Sequence, residues 1–309
     1  MSVVLWPMAL DPSAAQQLDG AELLLYDDPS AWPAGAEGAE VLVVGWGPVE
    51  PVADALVGLE SLRLVQVLGA GVEQWAGRIP DGVLLSNARG AHGAATAEWA
   101  LAALLAVVRD LPAFVASGAE RRWDTHDTST LVGADVVVVG AGDIGRELAV
   151  RLEANDSSVT LVGRSARPGV AGRDELPTLL PRAAAVVLAV PLDDSTAGMV
   201  DAGFLAAMAD GAVLVNAARG PVVETDALVA ELESGRLRAA LDVTDPEPLP
   251  PDHPLWRVPG LLLTPHVAGS TVGATERAVR VAVDQVGQFL AGRVPDNVCG
   301  TADGSVWRS

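Results

Sequence analysis

Three ionisable residues, far apart in the chain but each close behind a short apolar run, could together do chemistry on a carbonyl group. Arg219 follows Ala212-Val-Leu-Val215, Glu247 stands in Asp245-Pro-Glu-Pro-Leu249, and His266 follows Leu261-Leu-Leu-Thr264-Pro265. An imidazolium can give a proton to a carbonyl oxygen as hydride reaches the carbon, and a carboxylate beside the ring favours its charged form and holds its orientation. A guanidinium can grip a carboxylate bidentately while polarising the neighbouring carbonyl. Taken singly, each residue also has a plainer role: His266 as a satisfied core histidine, Arg219 as a charge flanking a helix, Glu247 as a solvated loop residue.

These positions converge only if the apolar runs are strands of one sheet. The runs Val159-Thr-Leu-Val162, Ala184 to Val190, Ala212-Val-Leu-Val215, Ala239-Ala-Leu-Asp242 and Leu261-Leu-Leu-Thr264 each give way to Pro, Gly, Asn or Asp. In a doubly wound parallel sheet, ligands gather outside the carboxyl ends of the strands. Gly163-Arg164-Ser165, Pro191, Asn216-Ala-Ala-Arg219-Gly220, Asp242 and Pro265-His266 are therefore expected to line one crevice.

The sheet is anchored by Ala134-Asp-Val-Val-Val-Val-Gly140-Ala-Gly142-Asp-Ile-Gly145, running on to Leu152. Val136 to Val139 form the continuous apolar run of a strand buried on both faces, and Ile144, Leu148 and Leu152 recur at helical spacing. Between strand and helix stands a G-x-G-x-x-G turn. Gly140 permits the tight bend, Gly142 lets backbone N–H groups approach a pyrophosphate, and Gly145 packs helix on strand, with the helix N-terminus favouring the anion. Strand, glycine turn and helix together predict dinucleotide binding.

Upstream, Val3 to Ala88 alternates short apolar runs with Pro- and Gly-containing stretches, as a smaller α/β unit would. Its turn Gly69-Ala70-Gly71-Val72 lacks the third glycine of a dinucleotide loop, but its N–H groups could grip a carboxylate. Ala94 to Asp110 reads as a long apolar helix, followed by a polar loop with Arg121, Arg122 and Trp123 that is either a linker or an arm contacting another subunit. The last ten residues, ending in Trp307-Arg-Ser309, read as a tail.

Composition narrows the chemistry. With 309 residues, half of them hydrophobic, the chain can bury a large core and is expected to form two domains. A formal charge of −20 argues against nucleic acid and anionic membrane as partners. All 20 basic residues are arginine, which rules out Schiff-base catalysis, a P-loop lysine and a Tyr-Lys catalytic pair. One cysteine, Cys299, and four scattered histidines give no zinc pattern, so no metal is expected. The N-terminus lacks a basic signal region, and Ala94 to Val108 is too short to span a bilayer, so a cytoplasmic protein in a reducing compartment is expected.

The wording around the three ionisable residues resembles the D-isomer-specific 2-hydroxyacid dehydrogenase family. The resemblance is carried by Val190-Pro-Leu-Asp-Asp-Ser-Thr196, Gly211-Ala-Val-Leu-Val-Asn-Ala-Ala-Arg-Gly220, Ala240-Leu-Asp-Val-Thr-Asp-Pro-Glu-Pro-Leu-Pro250 with Pro254-Leu-Trp256, and Thr264-Pro-His-Val-Ala-Gly269. It runs from about Leu68 to Gly292. It implies a catalytic triad of Arg219, Glu247 and His266. It implies a cofactor lying against Thr96, Gly140, Gly142, Asp143, Ile144, Gly145, Val190, Pro191, Ala217, Ala218, Asp242, His266 and Gly269, with Thr96 near the pyrophosphate and Asp242 near the nicotinamide carboxamide. It further implies that a small 2-keto or 2-hydroxy acid meets Ala70, Gly71, Val72, Arg219 and His266. The implied fold is a Rossmann-type domain, 94–269, plus a smaller discontinuous flavodoxin-like lid domain, 1–93 with 270–309. Two crossing helices, near Ala94 to Asp110 and Thr275 to Leu290, would join them. A homodimer is also implied, with the Trp123 loop reaching a neighbour.

One departure bears on the cofactor. NAD-dependent members carry an acid at the end of the second cofactor-domain strand, whereas this chain has Gly163-Arg164-Ser165-Ala-Arg167, 18 residues beyond Gly145. Arg164, Ser165 and Arg167 suit a 2′-phosphate, so NADP is expected to be preferred, with NAD possible. The same turn resembles the glyoxylate/hydroxypyruvate reductase branch, which ranks those keto acids first. The alternative is a dinucleotide-sensing, corepressor-like binding protein of the same family.

Overall fold

The computed structural model describes residues 1–301. The chain divides into two compact units, one made of Met1–His92 with the segment from Val272, the other of Gly93–Thr271. The N-terminal segment runs β1 (Ser2–Pro7), α1 (Pro12–Ala15), β2 (Ala21–Tyr26), β3 (Ala39–Val44), α2 (Glu50–Ala55), β4 (Leu64–Val67) and β5 (Leu84–Ser86). The middle of the chain opens with α3 (Gly93–Val108) and α4 (Leu111–Ala119), then β6 (Asp135–Val139), α5 (Asp143–Glu153), β7 (Ser158–Gly163) and β8 (Ala171–Gly172). It continues through α6 (Leu176–Leu179), β9 (Ala185–Leu188), α7 (Ala202–Ala207), β10 (Val213–Asn216), α8 (Thr225–Glu233), β11 (Arg238–Leu241) and β12 (Leu261–Leu263). The chain then returns to the first unit with α9 (Ala274–Leu290) and β13 (Val298–Thr301).

Each unit is a twisted α/β sheet. In the first, the order β2-β1-β3-β4-β5 is parallel throughout and follows the flavodoxin-like pattern, with β13 added antiparallel beside β5. Side chains alternate across it. Val4, Trp6, Val41, Val43 and Leu64 pack under α9, while Leu5, Leu42, Val65 and Leu85 enter a second core on the other face. The buried stripe Ala278, Ala282 and Val286 recurs at four-residue spacing along α9, which turns one face of that helix onto the sheet.

The second sheet is parallel in the order β8-β7-β6-β9-β10-β11-β12. Counted from β6 as the first strand this is 3-2-1-4-5-6-7, the dinucleotide-fold order extended by one strand. Val137, Val139, Val186 and Leu188 face one core, and Val136, Val138, Ala185 and Val187 face the other, where α3 and α5 lie. Burial on both faces accounts for the unbroken valine run.

Two local readings of the sequence need correction. The passage after the long apolar helix is not loop alone: α4 intervenes, starting where Asp110 takes a left-handed backbone (φ 49°) and Pro112 fills an early helical position that needs no N–H donor. The break bends α4 by 64° from α3. The loop carrying Arg121, Arg122 and Trp123 follows it. Likewise, residues 300 and 301, read as the start of a tail, close strand β13, whereas Trp307-Arg-Ser309 lies outside the described residues. No single helix among the described residues is long and apolar enough to cross a membrane.

Candidate active site

The register of the second sheet builds the site. Val162, Val139, Leu188, Asn216, Leu241 and Leu263 form one row across β7-β6-β9-β10-β11-β12. The residues just beyond that row are Gly163, Gly140, Ala189, Ala217, Asp242 and Thr264. Every segment expected to line the crevice therefore leaves the same edge of one sheet, and Val190, Pro191, Ala218, Arg219 and His266 lie within two residues of it.

At the centre, Gly140 (φ 121°) turns so closely past β9 that a Cβ on it would overlap the Ala189 carbonyl, and a Cβ on Gly145 would overlap the Gly140 carbonyl. Strand end and helix start are in backbone contact. A Cβ on Gly142, by contrast, would project into open space at the head of α5, where Asp143 and Ile144 begin the helix. No side chain caps that helix N-terminus. Open space, exposed N–H groups and a positive helix end fit a pyrophosphate. The N-terminus of α3 adjoins it, because Gly93 lies directly against the Asp143 carboxylate, and Thr96 is buried in the first turn of α3.

Beyond β7 the polypeptide is arginine-rich and exposed. Arg164 Nη2 donates to Asp193 Oδ2 at 2.7 Å, and Arg167 Nη2 reaches the Ala141 carbonyl at 3.5 Å. Gly163 leaves room for Arg167: a Cβ there would stand 2.7 Å from Arg167 Nη1. The acid of an NAD-type fingerprint and this arginine could not share the strand end without one of them moving. Ser165 is exposed beside Arg164.

The His266–Glu247 pair sits at the other end of the row. His266 Nδ1 lies 2.6 Å from Glu247 Oε1, with both side chains partly open to solvent. A carboxylate oxygen accepts, so Nδ1–H donates in this contact and Nε2 is left as the open ring nitrogen. His266 adopts a left-handed backbone (φ 53°), and its N–H donates to the Asp242 carbonyl at 2.7 Å. The buried Asp242 carboxylate then takes Thr264 Oγ1 (2.6 Å) and the N–H groups of Val267 (2.9 Å) and Ala268 (2.8 Å). Its four lone-pair directions are three-quarters used by this loop, so its first task in this chain is to hold the turn that presents His266.

Arg219 leaves β10 on a turn fixed by buried Asn216, whose Nδ2 donates to the Arg219 carbonyl (2.9 Å) and whose Oδ1 accepts from Ala218 N–H (3.0 Å). The guanidinium is half-buried, with Nη1 2.7 Å from the Ala218 carbonyl. Gly220 presses against the Thr244 carbonyl, which ties the Arg219 turn to the segment leading to Glu247. The structure thus puts Arg219 on the same strand-end row as the His266–Glu247 pair, and places half-buried Gly269 just past the Asp242-held turn. Ala70, Gly71 and Val72 belong to the other unit, in the turn after β4, where Asn87 Nδ2 donates to the Ala70 carbonyl at 2.7 Å. Sequence reasoning put Asn216 in the crevice without a role, and missed Thr264 and Asp193 as site-building residues. Among the described residues no cluster suits a metal ion.

A parallel sheet in dinucleotide-fold order, with a glycine turn at its centre and a paired histidine at its rim, defines an NAD(P)-binding oxidoreductase fold. Residues 101–268 match the profile of the D-isomer specific 2-hydroxyacid dehydrogenase NAD binding domain. The chain is 33% identical over 261 residues to glyoxylate reductase of Thermofilum pendens, covering 79% of this chain and 76% of that protein. It is 35% identical over 257 residues to D-3-phosphoglycerate dehydrogenase of Mycobacterium tuberculosis, covering 80% of this chain. The chain spans about half the length of the phosphoglycerate dehydrogenases it matches, 48% in that case. Among solved structures, it resembles the NADPH-dependent glyoxylate/hydroxypyruvate reductase of Sinorhizobium meliloti in complex with NADP and malonate. The TM-score is 0.77 at 27% identity, covering 100% of this chain and 99% of that one. The chain belongs to the D-isomer-specific 2-hydroxyacid dehydrogenase family.

Proposed function

We propose that this protein reduces a small 2-keto acid to the D-2-hydroxy acid, with glyoxylate and hydroxypyruvate as the leading substrates and NADPH as the preferred reductant. The observation that carries the reading is the 2.6 Å His266–Glu247 contact on the strand-end row that also bears Arg219. When bound, the nicotinamide supplies hydride to the carbonyl carbon. The protein supplies the rest. Arg219 holds the substrate carboxylate and polarises the carbonyl, and His266 Nε2 gives the carbonyl oxygen its proton. Glu247 keeps the ring oriented through its contact with Nδ1.

The dinucleotide is assigned to Gly140, Gly142, Asp143, Ile144 and Gly145 at its pyrophosphate, with Thr96 alongside. Val190, Pro191, Ala217, Ala218, Asp242 and Gly269 flank it, and Arg164, Ser165 and Arg167 take the 2′-phosphate. Side-chain preference is assigned to Ala70, Gly71 and Val72. The glyoxylate reductase relative and the NADPH-dependent structural neighbour support this choice of substrate and cofactor. The protein is read as cytoplasmic and homodimeric. The dimer is supported by α4, an apolar helix whose Leu111 and Val115 are exposed, and by the almost fully exposed Trp123 just beyond it.

The deciding experiment follows NADPH oxidation with a panel of glyoxylate, hydroxypyruvate, pyruvate, phenylpyruvate and 2-ketoglutarate, and the reverse reaction with 3-phosphoglycerate. Turnover with glyoxylate or hydroxypyruvate is expected. Dinucleotide binding without turnover of any member would instead favour a sensing protein.

A further inference from the structure

We propose that Asp193 sets how tightly this protein holds a 2′-phosphate, by competing with it for Arg164. The inference rests on the reading above that Arg164 faces that phosphate. In the sheet β6 lies between β7 and β9, so Arg164, from the loop after β7, and Asp193, from the loop after β9, meet across the carboxyl end of β6. That is where the glycine turn lies. The anion that Arg164 already holds therefore belongs to the dinucleotide region of the protein itself.

Asp193 is built into place. Its Oδ1 accepts from Ser195 N–H (2.8 Å) and Ser195 Oγ (2.6 Å), and its own N–H donates to Thr196 Oγ1 (2.8 Å). Thr196 Oγ1 in turn donates to the Pro191 carbonyl at 2.7 Å. Arg173 donates to the Ser195 carbonyl and pins the loop from the other side. With Oδ1 committed to the turn, Oδ2 is directed to Arg164. Partial burial works against ionisation of Asp193, but the Ser195 hydrogen bonds and the Arg164 charge outweigh it and hold the carboxyl below the usual range. It is an anion at any working pH.

A 2′-phosphate arriving at Arg164 must therefore displace or share a guanidinium that a fixed carboxylate already occupies, and it approaches that carboxylate as a like charge. The Arg164 side chain is 73% exposed, so the pair is easily opened. An exposed ion pair of this kind shifts an equilibrium by up to about fivefold, and like-charge repulsion at an exposed site adds a factor of similar order. Asp193 thus narrows the preference for NADPH over NADH and keeps both cofactors in use.

The test is calorimetric titration with two adenosine fragments, 2′,5′-ADP and 5′-AMP, against the full chain and two variants. Asp193→Asn keeps an Oδ1 acceptor for Ser195, so the turn is preserved, but presents an amide that cannot accept from Arg164. It is expected to bind 2′,5′-ADP about 3- to 20-fold more tightly, with 5′-AMP affinity within about twofold. Unchanged or weaker 2′,5′-ADP binding in Asp193→Asn, with Arg164→Ala weakening it, would overturn the competition and leave the phosphate site standing. If Arg164→Ala leaves 2′,5′-ADP affinity untouched, the phosphate assignment itself falls and the competition with it.

Discussion

His266 and Glu247 are coupled through one short contact, Nδ1 to Oε1 at 2.6 Å, made between two loops that leave neighbouring strands. That contact decides which imidazole nitrogen is left open. Replacing His266 by Ala is expected to lower kcat roughly 10²–10⁴-fold, the usual worth of a positioned proton donor. Glu247→Gln should cost less, roughly 10- to 100-fold, the worth of a charge-assisted hydrogen bond. Because Glu247 acts only through the ring, the double variant should be no slower than His266→Ala alone. Steady-state kinetics of the three variants check this, and additive losses would show that Glu247 has a separate role.

Arg219 should answer to a different parameter. Truncation to Ala leaves a substrate carboxylate without its partner and is expected to raise KM for the keto acid about 30- to 1,000-fold. Arg219→Lys should recover little of this, because an ammonium cannot grip a carboxylate in two places. A KM within threefold of wild type in Arg219→Ala would mean that the carboxylate is held elsewhere.

Gly163 gives a test of cofactor choice that adds a group instead of removing one. A side chain here meets Arg167 Nη1 and Val170, so Gly163→Asp should both displace Arg167 and place a carboxylate at the strand end. NADPH is expected to lose about 10- to 100-fold in kcat/KM through one or two charge-assisted bonds, while NADH gains. Competition assays with both cofactors would expose the opposite trend at once.

A stability prediction comes from Arg236, which ties α8 to the α7 segment. Its Nε donates to Glu231 Oε2 at 2.7 Å, Nη2 to the Leu205 carbonyl at 2.6 Å and Nη1 to the Met208 carbonyl at 2.9 Å. Arg236→Ala should destabilise the protein by about 2–3 kcal/mol, since two carbonyls and a carboxylate lose a charged donor. The Arg236 hydrogen bond holds the Glu231 carboxyl below its ordinary value of 4.5, its charge assisting and partial burial opposing. A carboxyl depressed in the folded state stabilises fully above its unfolded pKa and loses that contribution as pH falls through the folded one. Calorimetry should therefore find Glu231→Gln less stable than wild type by a constant amount between about pH 6 and 8, and the gap should narrow as pH falls below the ordinary value of 4.5.

The exposed face of α4 predicts an assembly effect. Val115 is 73% exposed, so Val115→Glu costs the folded chain little but should break an apolar contact between two copies. Light scattering after gel filtration is expected to show a dimer for wild type and a monomer for the variant. A wild-type monomer would reject the dimer outright.

Much of the fold was legible because its signals are local. The valine run, the glycine turn and the Ile144-Leu148-Leu152 spacing lie within about twenty residues, and they become β6, the turn and α5. Other parts depend on partners distant in sequence. β13 is a four-residue strand containing a glycine, and only pairing with Leu84–Ser86 makes it one. The boundary of α4 was hidden because its apolar residues continue those of α3, and Asp110-Leu-Pro112 reads as readily as loop. Asp193-Asp-Ser-Thr196 reads as a polar turn, and nothing local says that its carboxylate meets Arg164. Asp242 could be placed at a strand end from its run, but its grip on Thr264, Val267 and Ala268 needed the register of β11 against β12.

The discontinuous first unit sets an order of events on the ribosome. Val4, Trp6, Val41, Val43 and Leu64 form a sheet face whose cover, α9, is encoded after the whole of Gly93–Thr271. At ordinary elongation rates that separation amounts to roughly 10 to 40 s. The second unit is continuous and can close its own two cores during that interval. The first sheet must wait with an apolar face uncovered and the β5 edge unpaired, so during synthesis the unit begun first is the unit that finishes last.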